Sequence, residues 1–144
     1  MSKVYCSAVI PAAVEDVWAT VRDFNGLPEW HPMIIGSKIE DGSRGDTVGA
    51  VRSVHLTDGI RLRERLLALD DLNHGVVSTI FESAMPVANY LAELRLRRVT
   101  ANEHTFAEWV AQFDVADADE AVVCDTVTSL FSEGLGALTD RFSR

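Results

Sequence analysis

The chain has 144 residues and a formal net charge of −9, because its 22 acidic residues outnumber its 13 lysines and arginines. A nucleic-acid backbone needs a basic surface, so this balance argues against a nucleic-acid partner. Apolar residues make up 47% of the chain, enough for a core, but no run of about 18 apolar residues occurs. We therefore expect a single domain over residues 1–144, monomeric or homodimeric, with no membrane insertion.

The N-terminal segment Lys3 to Ile10 predicts a strand, because its residues alternate instead of forming the continuous apolar centre of a secretory signal. The two cysteines, Cys6 and Cys124, lack the spacing of a metal site. They are interpreted as small buried residues of a reducing compartment. Together these features favour a cytoplasmic protein.

Two short helices are predicted after this strand. Pro11 suits the first turn of a helix, and helical spacing then continues to about Arg22 through four apolar residues: Val14, Val17, Trp18 and Val21. Glycine and proline interrupt the next segment, Asp23 to Pro32, which is typical of a small second helix and a loop.

From residue 33 onwards the pattern changes to strands separated by turn signals. Six strands are predicted: Met33 to Glu40, Asp46 to Leu56, Ile60 to Leu69, Val76 to Glu82, Asn89 to Arg98 and Thr105 to Phe113. Consecutive antiparallel strands with the helices kept apart from them indicate an α+β domain. A sheet of seven strands would be curved, and its apolar face needs a cover.

The last segment, Asp117 to Phe142, predicts a long helix that supplies this cover. Asp117 and Glu120 have the spacing of a capping box, and apolar residues then form one stripe: Val123, Val127, Leu130, Phe131, Leu135, Leu138 and Phe142. Gly134 and Gly136 each cost about 1 kcal/mol relative to alanine inside a helix. They indicate close approach by another backbone, or space left open above a cavity.

Polar residues on the inward faces of strands are the candidate functional residues, because a core face should be apolar. Glu64 is the clearest, since it shares a face with Leu62 and Leu66. A buried carboxylate needs a partner, and Arg52 on the neighbouring strand is the natural one. The alternatives are a buried ion pair without a ligand and a polar group that lines a cavity.

The turn at Asp58-Gly59 decides which residues face Glu64. A strict two-residue turn would place Ser53 and His55 on that face. A three-residue or bulged turn places Arg52 there instead. We favour the second register, because it neutralises the acid and keeps the apolar residues of the strand inside.

Three further residues are candidates for a cavity wall. Tyr90 faces inward beside the small Ala92, as an orienting hydrogen-bond donor or as a core tyrosine. Trp109 is flanked by alanines on its own face, where it would stack on an apolar ligand or pack in the core. His31 is placed to reach a cavity mouth. No pair of histidines has metal-site spacing and no phosphate-binding loop occurs, so we expect no metal and no cofactor.

Several short motifs follow one another along the chain: Val17-Trp18, Asp23-Phe24, Trp30-His31-Pro32, Gly49-Ala50-Val51-Arg52, Glu64-Arg65-Leu66, Asp70-Asp71, Pro86 to Tyr90, Trp109 and Phe113. With the order of elements, this series resembles the START/Bet v 1-like (SRPBCC) superfamily, and most of all its bacterial polyketide cyclase/dehydrase and lipid-transport group. The resemblance implies a helix-grip fold: a seven-stranded curved antiparallel sheet wrapped around a long C-terminal helix, with two short helices after the first strand. It also implies a large, mostly apolar cavity between sheet and helix.

The plant abscisic acid receptors are a distant branch of this superfamily, and the chain is similar to them at Arg52, Glu64 and Tyr90, whose counterparts line the hormone pocket. It departs from them at Ile35, where the receptors have a lysine for the hormone's carboxylate, and in the short turn from Leu56 to Ile60, which lacks their gate loop. Hormone reception is therefore not expected. Pattern and resemblance together predict these ligand-binding residues: Ile35, Arg52, Val54, Leu62, Glu64, Tyr90, Ala92, Trp109, Val123, Val127 and Phe131.

Three functions remain open. The first is binding of a small hydrophobic molecule, such as a lipid, polyketide or isoprenoid, in the internal cavity. The second is a cofactor-free cyclase, aromatase or dehydratase, in which Arg52 and Tyr90 would polarise a carbonyl and Glu64 or His31 would move protons. The third is a stress or regulatory protein that binds a partner through its outer surface.

Overall fold

A computed structural model describes the chain from Met1 to Arg144. It contains seven strands: β1 (Ser2–Ile10), β2 (Ile34–Ile39), β3 (Val51–Leu56), β4 (Arg61–Asp70), β5 (Gly75–Ser83), β6 (Ala88–Val99) and β7 (His104–Asp114). It also contains three α-helices: α1 (Val14–Val21), α2 (Leu27–Trp30) and α3 (Glu120–Phe142). A short 3₁₀ turn, Glu40–Gly42, follows β2.

The seven strands form one antiparallel sheet in the order β1-β7-β6-β5-β4-β3-β2. Strands β2 to β7 follow one another as hairpins, and β1 joins the series by pairing with β7, from Ser2 opposite Phe113 to Ile10 opposite Thr105. Helix α3 packs along β1 and meets α2. This is the predicted α+β helix-grip architecture, with two short helices after β1 and a long C-terminal helix.

The core lies between the sheet and α3. The helix buries one stripe of residues against the sheet: Val123, Val127, Phe131, Leu135 and Leu138. Inward positions on the central strands, such as Leu66 and Leu96, are almost completely buried, and each such side chain stabilises the fold by about 1.5–3 kcal/mol. By length and composition alone α3 could cross a membrane, a weak criterion that core helices also meet.

The β3–β4 hairpin adopts the favoured register. Its loop has three residues, Thr57 to Gly59, closed by a hydrogen bond of 2.9 Å from the Leu56 N–H to the Ile60 carbonyl. Gly59 has φ = 90°, a conformation that favours glycine. With this loop length, Arg52 lies directly opposite Glu64.

Three predicted element boundaries were wrong. Pro11 is not in the first turn of a helix, because α1 begins only at Val14, after its N-cap Ala13. The strand predicted from Asp46 begins only at Val51, because the chain turns before it and Gly49 has φ = 97°. The long helix begins at Glu120 rather than at Asp117, and no side chain caps its first turn. Glu120 is engaged elsewhere, since its carboxylate accepts a hydrogen bond of 2.6 Å from the hydroxyl of Ser2 on β1.

Candidate ligand-binding site

A cavity lies under α3, enclosed by the helices and the inner face of the sheet, and 16 of the 21 residues in its wall are hydrophobic. The cavity volume is about 70 Å³. Pockets for drug-sized ligands usually have about 300–1,000 Å³. This cavity is smaller than the cavity that the resemblance implied. The exposed Asp23, between α1 and α2, lies where the wall meets solvent.

Arg52 on β3 and Glu64 on β4 form a buried ion pair in this wall. Nε and Nη2 of Arg52 donate hydrogen bonds of 3.1 and 2.9 Å to the same oxygen of Glu64, Oε1. Each side chain is only 10% exposed. The two residues are directly opposite each other in the hairpin. The backbone pairing of β3 and β4 therefore holds their side chains within hydrogen-bonding distance.

Other groups complete the polar cluster, which we define as Arg52, Glu64 and Ser78. The hydroxyl of Ser78 on β5 donates to Oε2 of Glu64 at 3.1 Å. Nη1 of Arg52 donates to the carbonyl of Phe24 at 2.6 Å, and the guanidinium carbon lies 3.8 Å from the centre of the Phe24 ring. The charges of the cluster therefore balance within the protein. Two of the five N–H groups of Arg52 keep no protein partner.

Tyr90 on β6 contributes a hydroxyl that has no hydrogen-bond partner in the protein, although the residue is only 4% exposed. Burial, with a smaller contribution from the Glu64 carboxylate, raises the pKa of this hydroxyl well above its usual value. Tyr90 thus stays protonated at neutral pH. It is a free hydrogen-bond donor in the cavity wall.

The apolar part of the wall includes an aromatic cluster of Trp30, Trp109 and Phe131. The Trp109 and Phe131 rings stack with 4.4 Å between their centres and 8° between their planes, and Trp30 lies 6.1 Å from Trp109. The indole Nε1 of Trp30 is a fully buried side-chain nitrogen without a hydrogen-bond partner in the protein. Such a group is costly to bury.

His31 lies between α2 and α3, and both of its ring nitrogens are engaged. Nε2 is 2.6 Å from the carbonyl oxygen of Leu130, and the N–H of Met33 donates to Nδ1 at 3.1 Å. These contacts specify the neutral tautomer with its proton on Nε2. Burial lowers the pKa of the imidazole, which favours the same form. In this arrangement neither ring nitrogen of His31 is free to exchange a proton with a ligand, so proton transfer by His31 stays an untested prediction.

Nine of the predicted site residues lie in the cavity wall: His31, Arg52, Val54, Leu62, Glu64, Tyr90, Ala92, Trp109 and Phe131. Ile35 does not, because it points outward and is 66% exposed, while its neighbour Ile34 takes the inward position. Val123 and Val127 are buried in the core but lie outside the wall. They precede the part of α3 that reaches the cavity, at Leu130 and Phe131.

Twelve other wall residues were not predicted: Val21, Asp23, Phe24, Leu27, Trp30, Ile34, Leu56, Val76, Ser78, Ile80, Leu94 and Leu130. Ser78 could have been found, because it is a polar residue that alternates with the inward Val76 and Ile80. The residues of the α1–α2 region could not, since no periodicity indicates which side of a broken helical segment closes a cavity.

A family model described as polyketide cyclase / dehydrase and lipid transport matches residues 1–143. Among solved structures, the protein XoxI from Bacillus cereus is 29% identical with a TM-score of 0.89, and the match covers 99% of this chain and 96% of that one. An uncharacterized protein from Bacillus thuringiensis is also 29% identical, with a TM-score of 0.87 and coverage of 99% and 100%. A START superfamily protein from Mycobacterium smegmatis is 13% identical with a TM-score of 0.80, covering 98% and 97%, which is a likeness of fold alone.

Proposed function

Because the chain belongs to the polyketide cyclase/dehydrase and lipid-transport family, we propose that it binds a small, mostly apolar molecule, such as a lipid, a polyketide or an isoprenoid, in the cavity under α3. The composition of the wall carries this proposal, with 16 hydrophobic residues among 21 and few polar groups. Apolar walls supply affinity for such ligands, and a few placed polar groups fix their orientation.

The size of the cavity implies that binding requires an opening movement. A cavity of about 70 Å³ is too small for a lipid or a polyketide, so the side chains of the aromatic cluster or the contacts between α2 and α3 must shift when a ligand enters.

Native mass spectrometry of the freshly purified protein, followed by extraction of any retained compound, tests this proposal directly. We expect a bound apolar molecule, or a mass shift when a panel of fatty acids, isoprenoid alcohols and aromatic ketones is added. A clean unliganded mass, together with no change in the NMR signals of the wall residues with any member of the panel, would overturn it.

Catalysis in the same cavity is the second candidate, and the free hydroxyl of Tyr90 favours it. This hydroxyl and the two free N–H groups of Arg52 would polarise a carbonyl oxygen, as in cyclase or dehydratase chemistry. The proton acceptor would be Glu64, whose carboxylate would have to leave Arg52 or Ser78 in order to act. If turnover of an extracted ligand is observed, Glu64→Gln should abolish it while the fold survives; unchanged turnover would eliminate this mechanism.

A further inference from the structure

We propose that the cavity selects a neutral ligand with a hydrogen-bond-accepting oxygen, such as a ketone or an ester, over a carboxylic acid, and that Glu64 is the residue that determines this preference. The inference rests on the proposed binding function and names the chemical class of the ligand. It follows from two properties of the wall, its charge balance and the kind of hydrogen-bonding groups that lack partners.

The charge balance disfavours an anion. Apart from the neutral His31, Arg52 is the one basic side chain in the wall, and Glu64 neutralises it at 2.9 Å. The other charged wall residue is Asp23, an acid at the exposed margin. A carboxylate entering this cavity would lose its hydration without meeting an uncompensated positive charge, and that loss is not offset. The overall charge of −9 acts in the same direction.

The groups of the wall that lack hydrogen-bond partners are donors, so they favour a ligand with an acceptor. Tyr90 and Arg52 offer an O–H and two N–H groups without protein partners, and the buried Nε1–H of Trp30 also has none. Both oxygens of Glu64 already receive hydrogen bonds from Arg52 and Ser78. A ligand oxygen of carbonyl type pairs with the donors that lack partners.

Three compact probes of similar shape test this preference at pH 7: acetophenone, benzoate and isopropylbenzene. They present a neutral acceptor, an anion and no hydrogen-bonding group on the same ring. Titrations followed by NMR should show binding at Tyr90 and Ala92, with acetophenone at least about tenfold tighter than benzoate, the scale expected for one unmet charged or polar contact. Benzoate binding as tightly as acetophenone would overturn the preference, and isopropylbenzene binding as tightly would remove the role of the acceptor.

The role of Glu64 is tested with a matched pair of variants. Glu64→Gln leaves the Arg52 charge uncompensated, so benzoate should gain about tenfold or more relative to acetophenone and should raise the thermal stability of the variant. Glu93→Gln removes the same charge from the partly exposed Glu93–Arg95 pair, outside the cavity wall, and should leave the ranking of the probes unchanged. An equal gain in both variants would show that overall charge, not Glu64, sets the preference.

The outcomes separate this inference from the proposed function. If no probe and no panel compound binds, the binding function itself fails. If probes bind in the cavity but the acid is preferred, the binding function stands and the inference is wrong. If Glu64→Gln does not fold, the ranking of the probes on the unaltered protein still decides the preference, and the double variant Arg52→Met, Glu64→Leu, which removes both charges, should then not bind benzoate more tightly than the unaltered protein does.

Discussion

The imidazole of His31 lies in the space that a side chain on Gly134 would occupy. A Cβ atom at Gly134 would be 2.8 Å from Cδ2 of His31 and 2.9 Å from Cζ3 of Trp109. Since His31 is also bound to the carbonyl of Leu130 on the same helix, this contact joins α2, β7 and α3 beside the cavity. The sequence predicted that another backbone, or an open space, lies beside Gly134. The structure instead places the side chains of His31 and Trp109 there.

Gly134→Ala should therefore destabilise the protein, by about 1–3 kcal/mol, because the clash with two fixed rings outweighs the helix propensity of alanine. Gly136→Ala is the matched control two residues later, where a Cβ would meet nothing within 4 Å. It should stabilise the protein by about 1 kcal/mol. Urea denaturation of both variants measures the difference; stabilisation of both would show that His31 and Trp109 yield easily.

His31 should make the stability of the protein depend on pH. Burial lowers its pKa in the folded state, so the unfolded chain binds the proton more readily. The stabilisation is therefore present above the unfolded pKa of about 6.5 and is lost as the pH falls through the folded pKa. His31→Gln, which can still donate to Leu130, should be less stable at pH 7 and should lose less stability between pH 7 and pH 5. Parallel stability curves for the two proteins would contradict this.

Removing one member of the Arg52–Glu64 pair should lower the free energy of unfolding strongly, whereas replacing both members by apolar residues should lower it little. Arg52→Met leaves the Glu64 carboxylate buried without its partner, and a loss of about 3–5 kcal/mol is expected. The double variant Arg52→Met, Glu64→Leu should recover most of that loss, because no uncompensated charge remains. A double-mutant cycle from chemical denaturation measures the coupling energy, and simply additive losses would show that the two side chains are independent.

Filling the cavity should separate binding from folding. Ala92→Phe places a phenyl ring in the wall beside the polar cluster, so it should abolish retention of the bound molecule while the loss of stability stays within about 1–3 kcal/mol. Ala68→Phe makes the same change at an exposed position on β4 and should retain the ligand. Equal ligand retention in the two variants, seen by native mass spectrometry, would place the ligand elsewhere.

The sequence predicted the inward-facing polar residues correctly where side chains alternate between the two faces of a strand. Arg52, Glu64 and Tyr90 were assigned inward because a strand repeats every two residues. Ile35 was misplaced because its position came from the resemblance, while the β2–β3 pairing shifts register between Ile34 and Gly36.

The remaining errors concern contacts between distant segments. The apolar stripe of α3 identified its buried face but not which part of it borders the cavity, and Val123 and Val127 lie outside the cavity wall. The role of His31 depends on Gly134, about a hundred residues later, and no local pattern joins the two. Side-chain contacts of this kind emerge only when the helices are packed onto the sheet.

The β3–β4 hairpin has an evolutionary consequence that depends on where a codon is lost. Loss of one codon within the loop of Thr57 to Gly59 leaves Leu56 opposite Ile60 and Arg52 opposite Glu64, so the inner lining of the cavity is kept. Loss of one codon between Arg52 and Leu56 instead turns Arg52 to the outer face, because successive residues of a strand point to opposite faces. The gene thus tolerates a change of length in this loop, whereas the same change in the preceding strand alters what the cavity accepts.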